Sequence, residues 1–371
     1  MIRTYTIRLQ TTQAQVEILR DLLEHLCVLY NQALMHRKSS WKNAKESVSL
    51  YDQQKKLTDF RNCSSPVSRY PAAIQRDPLR RVDLAFRGFY RRIKAKENPG
   101  YPRFKPSSQY DSFDVDSQNF RISGDAVTVV KLGSFRFKTK YKLKGEPKIL
   151  RVQRRGKHWI ASVVCYIGEA PTKVAVSSAI GIDLGLTSLA TLSDGTEIEN
   201  PRWTKQESAR LARANQSLAR KKRGSKNRLK AKERLRRAHQ RIAGLRASYL
   251  TGVAKDLVGR YDLIAHENLS IRNMVRSNLA KSIHDASWGK LIQRLNCEAE
   301  KAGKTIVAVN PRGTTINCSA CGEKVPKTLS QRVHNCPSCG LILGRDHNAA
   351  LNVLRLGESL VGAGNTLAPQ N

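Results

Sequence analysis

The chain has 371 residues and 40% hydrophobic content, enough to bury the cores of two or three domains. Lys and Arg number 66 against 30 Asp and Glu, and the resulting net charge of +36 argues against a merely solubilising mixed-sign surface and points to a polyanionic partner, nucleic acid. No apolar run approaches the roughly 18 residues that span a bilayer, and the opening Met1-Ile2-Arg3-Thr4-Tyr5 lacks a signal peptide's apolar core, so an intracellular, soluble protein without a membrane partner is expected.

Residues 5–9 alternate like a strand, and over 13–35 Leu19, Leu22, Leu23, Leu26 and Leu29 recur at helical spacing. Leu79, Val82, Phe86, Phe89 and Ile93 form a second helical stripe flanked by Arg80, Arg81, Arg87, Arg91 and Arg92, one face packing and the other cationic. Asn98-Pro99-Gly100-Tyr101-Pro102 stops that helix, and short β-like runs over 112–167 predict a small β-barrel or sandwich. Residues 174–192 read as apolar strands. Between Lys205 and Arg246 sixteen basic residues face only Glu207 and Glu233, a nucleic-acid-facing helix pair broken near Gly224-Ser225. A strand at 263–266, a helix at about 286–302, a strand at 305–309 and a last helix at 347–356 imply an α/β layer, and the tail from 357 to 371 reads as loose.

Of eight cysteines, Cys27, Cys63, Cys165 and Cys297 are scattered, where a free buried thiol is the ordinary reading. Cys318, Cys321, Cys336 and Cys339 form two Cys-x-x-Cys knuckles, each followed by a glycine, Gly322 or Gly340, that tolerates the positive φ of a tight turn. Four thiolates complete a tetrahedron around Zn2+ and leave no open position, so one structural zinc is expected.

Asp183 interrupts an apolar strand in Gly181-Ile182-Asp183-Leu184-Gly185, Glu267 ends the apolar run from Tyr261, and Asp346 precedes the last helix. A lone carboxylate in an apolar strand needs a cation, a set of donors or an open edge. Singly, Asp346 reads as a helix N-cap and Glu267 as a solvated strand end. Together the three can converge on a pair of Mg2+ ions about 4 Å apart, one activating water and the other steadying the leaving oxygen of a phosphodiester. The glycine-flanked Asp183 also resembles the first phosphate strand of actin-like ATPases, but the second phosphate loop and adenosine pocket of that family are missing.

Several segments in order resemble the TnpB (OrfB) proteins of insertion sequences, the compact relatives of type V CRISPR nucleases. They are Leu29-Tyr30-Asn31, Gly100-Tyr101-Pro102-Arg103-Phe104-Lys105, Gly181 through Leu186, the basic run from Leu218 to Ser225, His266-Glu267-Asn268-Leu269, the cysteine pairs, and Arg345-Asp346-His347-Asn348-Ala349-Ala350. The resemblance implies a multidomain α/β chain. A wedge-like β-barrel would occupy 1–12 and 99–172, with a helical recognition domain at 13–98. A RuvC-type RNase H-like nuclease domain would occupy 173–311 and 342–356, with 203–262 as basic helices and a zinc ribbon at 312–341. Asp183, Glu267 and Asp346 then match the RuvC acids of an Mg2+-dependent endodeoxyribonuclease.

The activity so implied is RNA-guided cleavage of double-stranded DNA beside a short motif, by one protein copy on a guide RNA from the element's end, in a bacterial or archaeal cytoplasm. Motif reading falls to Tyr51, Lys55 and Gln75. Arg220, Lys221, Lys222, Arg223 and Lys226 bear on the heteroduplex or displaced strand, and Arg345 stands beside the acids. Two other readings keep the fold: a nuclease-silent RNA-guided regulator, which the intact acids disfavour, and a junction resolvase, which has little use for the chain before about 171.

Overall fold

Inward Tyr5, Ile7 and Leu9 alternate with outward residues in β1 (Ile2–Gln10). A computed structural model describes residues 1–63, 65–139, 142–328 and 330–362, and the chain divides into two compact units, Met1–Glu169 and Ala170–Asn371.

In the first unit Thr12 switches the chain from strand to helix. Its hydroxyl accepts from the Gln15 N–H while the Gln15 side chain accepts from the Thr12 N–H, a capping box that opens α1 (Gln13–Ala44). The predicted leucines are buried. The helix continues past 35 through a polar turn sequence that carries no apolar period and so gave no signal. Then come α2 (Leu50–Cys63), one-turn α3 (Ser65–Ser68) and α4 (Ala72–Lys94). On α4, Leu79, Val82 and Phe86 are buried, but the stripe surfaces at its end, where Ile93 is exposed.

Strands β2 (Ser112–Asp116), β3 (Phe120–Ser123), β4 (Ala126–Val129), β5 (Gly133–Lys138), β6 (Glu146–Arg155) and β7 (His158–Tyr166) join β1 in an antiparallel sheet of order β2-β6-β7-β1-β5-β4-β3. The first residues of the chain thus fill the middle of a sheet encoded a hundred residues later. Among the described residues no pairing joins the edge strands β2 and β3.

The second unit holds β8 (Ala179–Leu184), β9 (Ser188–Leu192), β10 (Glu197–Glu199), α5 (Trp203–Gln206), α6 (Ser208–Ala219), α7 (Lys226–Arg260), β11 (Leu263–Glu267), α8 (Ile271–Met274), α9 (Ala280–Ala286), α10 (Trp288–Ala302), β12 (Thr305–Val309), β13 (Val333–Asn335), β14 (Ile342–Gly344) and α11 (Arg345–Gly362). Its main sheet runs β10-β9-β8-β11-β12, with β8, β11 and β12 parallel and β9 and β10 antiparallel. Ile180, Ile182 and Ile264 pack with Leu250, Leu257, Leu291 and Leu295 of α7 and α10, while Ala265 and Val309 pack with Val353 of α11. Helices therefore cover both faces, as parallel strands require.

Three expectations need correction. Residues 174–178 are not strand; Val174 and Val176 are exposed, and the central strand begins only at Ala179. The tail is not loose over 357–362, since Leu356 and Leu360 pack on the cluster of Ala265, Val309 and Val353 and carry α11 through Gly362; residues 363–371 lie outside the described residues. Gly357 is buried in that contact, where a Cβ would stand 2.4 Å from the Ala265 Cβ. Cys27 and Cys165 are buried, but Cys63 and Cys297 are exposed on helix surfaces, which an isolated cysteine cannot reveal. No described helix is long and apolar enough to cross a membrane.

Candidate metal centres

Strand register brings the first two acids together. β8 and β11 pair in parallel through Ala265 with Gly181 and His266 with Ile182, so the next step sets Glu267 beside Asp183 on one face of the sheet. That face is the one under α11. A Cβ on Gly181 would stand 2.2 Å from the Ala350 carbonyl oxygen and 2.6 Å from the Leu354 nitrogen, so only glycine lets the helix lie this close. Small residues at 181, 265 and 357 thereby seat α11 with Asp346, in its first turn, over the strand ends that carry Asp183 and Glu267. The positive end of the helix dipole falls at the acids.

Electrostatics follow from this crowding. Burial, and after it the charges of Glu267 and Asp346, push the Asp183 carboxyl up to about 7, with Arg345 pulling weakly the other way. Burial also raises Glu267, partly offset by the Thr314 hydroxyl, which donates to its Oε1 at 2.5 Å. Arg345 is turned to Asp346, its Nε 3.0 Å from Oδ1. The site holds more negative charge than its own donors balance, which is the chemistry of a cation site. Asp183 itself keeps part of its surface open to solvent.

The four cysteines are drawn tighter. Their sulfurs all lie within 4.8 Å of one another, Cys318 to Cys339 at 3.6 Å and Cys321 to Cys336 at 3.5 Å, close to the roughly 3.8 Å edge of a tetrahedron with metal–sulfur bonds of about 2.3 Å. Among the described residues this is the group of three or more His, Cys, Asp or Glu placed to share a single ion; the three carboxylates do not form such a group. Each knuckle closes alike. Gly322 N–H donates to the Cys318 carbonyl and Gly340 N–H to the Cys336 carbonyl, with φ of 80° and 74° that a side chain would resist.

Two asparagines that sequence reasoning missed tie this cluster to the acids. Asn348 accepts from the Ser319 N–H at 2.9 Å and donates to the Asn317 carbonyl at 2.8 Å; Asn352, one turn on, donates to the Thr314 and Asn317 carbonyls at 2.9 and 2.8 Å. Both are buried on α11. The segment that holds Cys318 and Thr314 is thus bolted to the helix that holds Asp346. Thr314 was missed as well; the only sequence signal for the asparagines is their i, i+4 spacing among apolar helix residues.

Arg220, Lys221, Lys222, Arg223 and Lys226 are exposed at the turn between α6 and α7. Tyr51 and Lys55 are exposed on α2. Gln75 must be withdrawn as a nucleic-acid contact: it is fully buried and its amide donates to the Val67 and Tyr70 carbonyls at 2.6 and 3.1 Å, so it holds the turn before α4.

Residues 162–278 match the OrfB_IS605 family model, described as "Probable transposase", and 288–353 match "Cas12f1-like, TNB domain". Residues 1–46 match a model described as "Helix-turn-helix domain", although the structure there has β1 and the single long α1. The chain is 28% identical to "Putative RNA-guided DNA endonuclease InsQ" of Escherichia coli (strain K12), over 87% of this chain and 80% of that protein. Its fold is similar to that in a Cas12f1-sgRNA-target DNA complex (TM-score 0.61, 18% identity, 92% of this chain and 83% of the other). It is also similar to that of the mini-RNA-guided endonuclease CRISPR-Cas_phi3 (TM-score 0.53, 8% identity, 96% and 92%). A "Putative RNA-guided DNA endonuclease" of Streptomyces pristinaespiralis is 30% identical over 99% of this chain and 92% of its own length, and with it this chain belongs to the TnpB (OrfB) family.

Proposed function

We propose that this chain is an RNA-guided DNA endonuclease of an insertion sequence, cutting double-stranded DNA next to a short motif with Asp183, Glu267 and Asp346 as its catalytic acids. The observation that carries this reading is the register of β8 and β11 under α11, which sets three buried or half-buried carboxylates at one place with too few cations of their own. The names of the relatives supply the guide and the substrate. The strand order, with the first strand central, suits a RuvC-type RNase H-like domain at 173–311 and 342–356. The cysteine cluster at 312–341 is then a zinc ribbon, 1–12 and 99–172 a wedge-like barrel, and 13–98 a recognition domain.

Two Mg2+ ions, when bound, polarise the scissile phosphate and activate water. The chain's own part is to hold and order the acids. Thr314 fixes the Glu267 rotamer, Arg345 restrains Asp346, and Asp183 must give up a proton before it can hold a cation. Arg220 to Arg223 and Lys226 lie open for backbone phosphates, and Tyr51 and Lys55 for the motif.

Plasmid cleavage in Mg2+ by protein co-expressed with RNA from its own locus, against a target with randomised flanks, tests this directly. Cutting of a subset of flanks that needs RNA and disappears in Asp183→Ala is expected. Cutting of branched DNA without RNA, or guided retention without cutting, would overturn the reading.

A further inference from the structure

The first unit carries a cluster of surface rings that the cleavage chemistry leaves unused. Tyr90 is 61% exposed, Tyr101 45% and Phe104 51%. They form one continuous surface. Phe89 packs edge-on against Tyr90 and Tyr101 with ring centroids 5.2 and 5.1 Å away, and the Lys38 ammonium bridges Tyr101 and Phe104 at 5.0 and 4.7 Å.

These rings are held out rather than left to flap. Arg92 Nε donates to the Pro99 carbonyl at 2.6 Å, and Asn31 bonds both the N–H and the carbonyl of Lys105, each at 2.9 Å, so the segment with Tyr101 and Phe104 is pinned at both ends. Adjacent large apolar rings fixed in water mark a surface that something covers. The cover must suit a cationic rim: the Arg87 side chain is 74% exposed, and Arg91, Lys94 and Arg103 are exposed too. A flat π-system on an anionic chain meets both demands, and pre-fixed rings lose little entropy when a base stacks on them.

We infer that Tyr90, Tyr101 and Phe104 form a stacking platform for unpaired bases of the guide RNA. The inference rests on the RNA-guided reading above, and the RNA is the occupant because a duplex target keeps its bases stacked inside, whereas RNA is read through unpaired bases laid on aromatic and guanidinium faces.

The test is RNA affinity of the full chain for its locus RNA, by filter binding, in Tyr90→Ala, Tyr101→Ala and Phe104→Ala beside Tyr101→Phe and Phe104→Trp. Each alanine should weaken RNA binding by about 5- to 150-fold, the span of one lost base stack, while the aromatic swaps retain it. Photocrosslinking of wild-type protein to 4-thiouridine-substituted RNA should label the same rings, which guards against a variant that fails to fold. Unchanged RNA affinity in well-folded alanine variants overturns the inference. So does an effect confined to target-DNA binding, or a change in oligomeric state, which would make this face a contact for displaced DNA or a second copy. Absence of RNA binding by wild-type protein would instead defeat the RNA-guided reading itself.

Discussion

The cysteine cluster and the carboxylate site belong to the same unit, are tied to the same helix, and are built on opposite terms. Four sulfurs from two short knuckles close on one another through local turns, each completed by its own glycine. The three acids come from two strands and a helix separated along the chain, and they meet only because β8, β11 and α11 are packed in one register. A closed set of ligands suits folding, and an open set with surplus charge suits chemistry. The difference also sets how each should fail. The knuckles should fail as a loss of structure, the acids as a loss of cutting alone.

Asp183→Ala should therefore bring guided cleavage to background, at least about a thousandfold down, while leaving RNA-guided DNA binding near wild type in a gel-shift assay. Cys339→Ser should instead lower soluble yield and melting temperature, with cleavage falling in step, because Asn348 and Asn352 hang the cysteine segment on the helix of Asp346. A stable, fully active Cys339→Ser protein would erase the comparison. Between the two extremes lies Gly181→Val. Its side chain collides with α11 backbone, so a stability loss of about 1–3 kcal/mol in urea melts is expected, with cleavage reduced beyond what the remaining folded fraction explains.

Thr314→Val keeps the volume and removes the hydroxyl that orders Glu267. Cleavage rate at saturating Mg2+ should drop about 10- to 100-fold, beyond what the modest loss of melting temperature from the lost Glu267 and Pro311 contacts explains; a cleavage loss that merely tracks unfolding would make Thr314 structural only. A last effect concerns pH. Asp183 is raised from 3.8 to about 7 by burial and by its two acidic neighbours, so the ion-free folded state retains a proton that the unfolded chain has released. Its stability should fall as pH rises from 3.8 to about 7 and level off beyond. Since Mg2+ competes with that proton, the half-saturating Mg2+ concentration for cleavage should rise about tenfold per unit as pH falls below 7. Mg2+ titrations that overlay from pH 6 to 8 would exclude Asp183 as a ligand.

Legibility tracked locality. The two Cys-x-x-Cys pairs, the leucine period of α1 and the acids within apolar strands are local patterns, and each was readable because spacing alone fixes which side chains share a knuckle, a face or a strand. Gln75 shows the converse. Its polar amide in a helix reads as surface, and only the packing of α4 on the preceding turn reveals that it satisfies two buried carbonyls. Likewise Gly357 reads as the start of a loose tail, yet its contact with Ala265 makes it a second point, after Gly181, where α11 lies against the sheet.

By itself the sequence determined the composition of the sites: which residues are acids, which are thiols, and that so basic a chain needs a polyanion. Tertiary structure alone decided their geometry. Strand register placed Asp183 beside Glu267, glycine at 181 let α11 approach, and Thr314, Asn348 and Asn352 acquired roles through bonds to partners 29 to 47 residues distant. No period or motif encodes such contacts, because they arise from the way one element is seated on another rather than from the spacing within either.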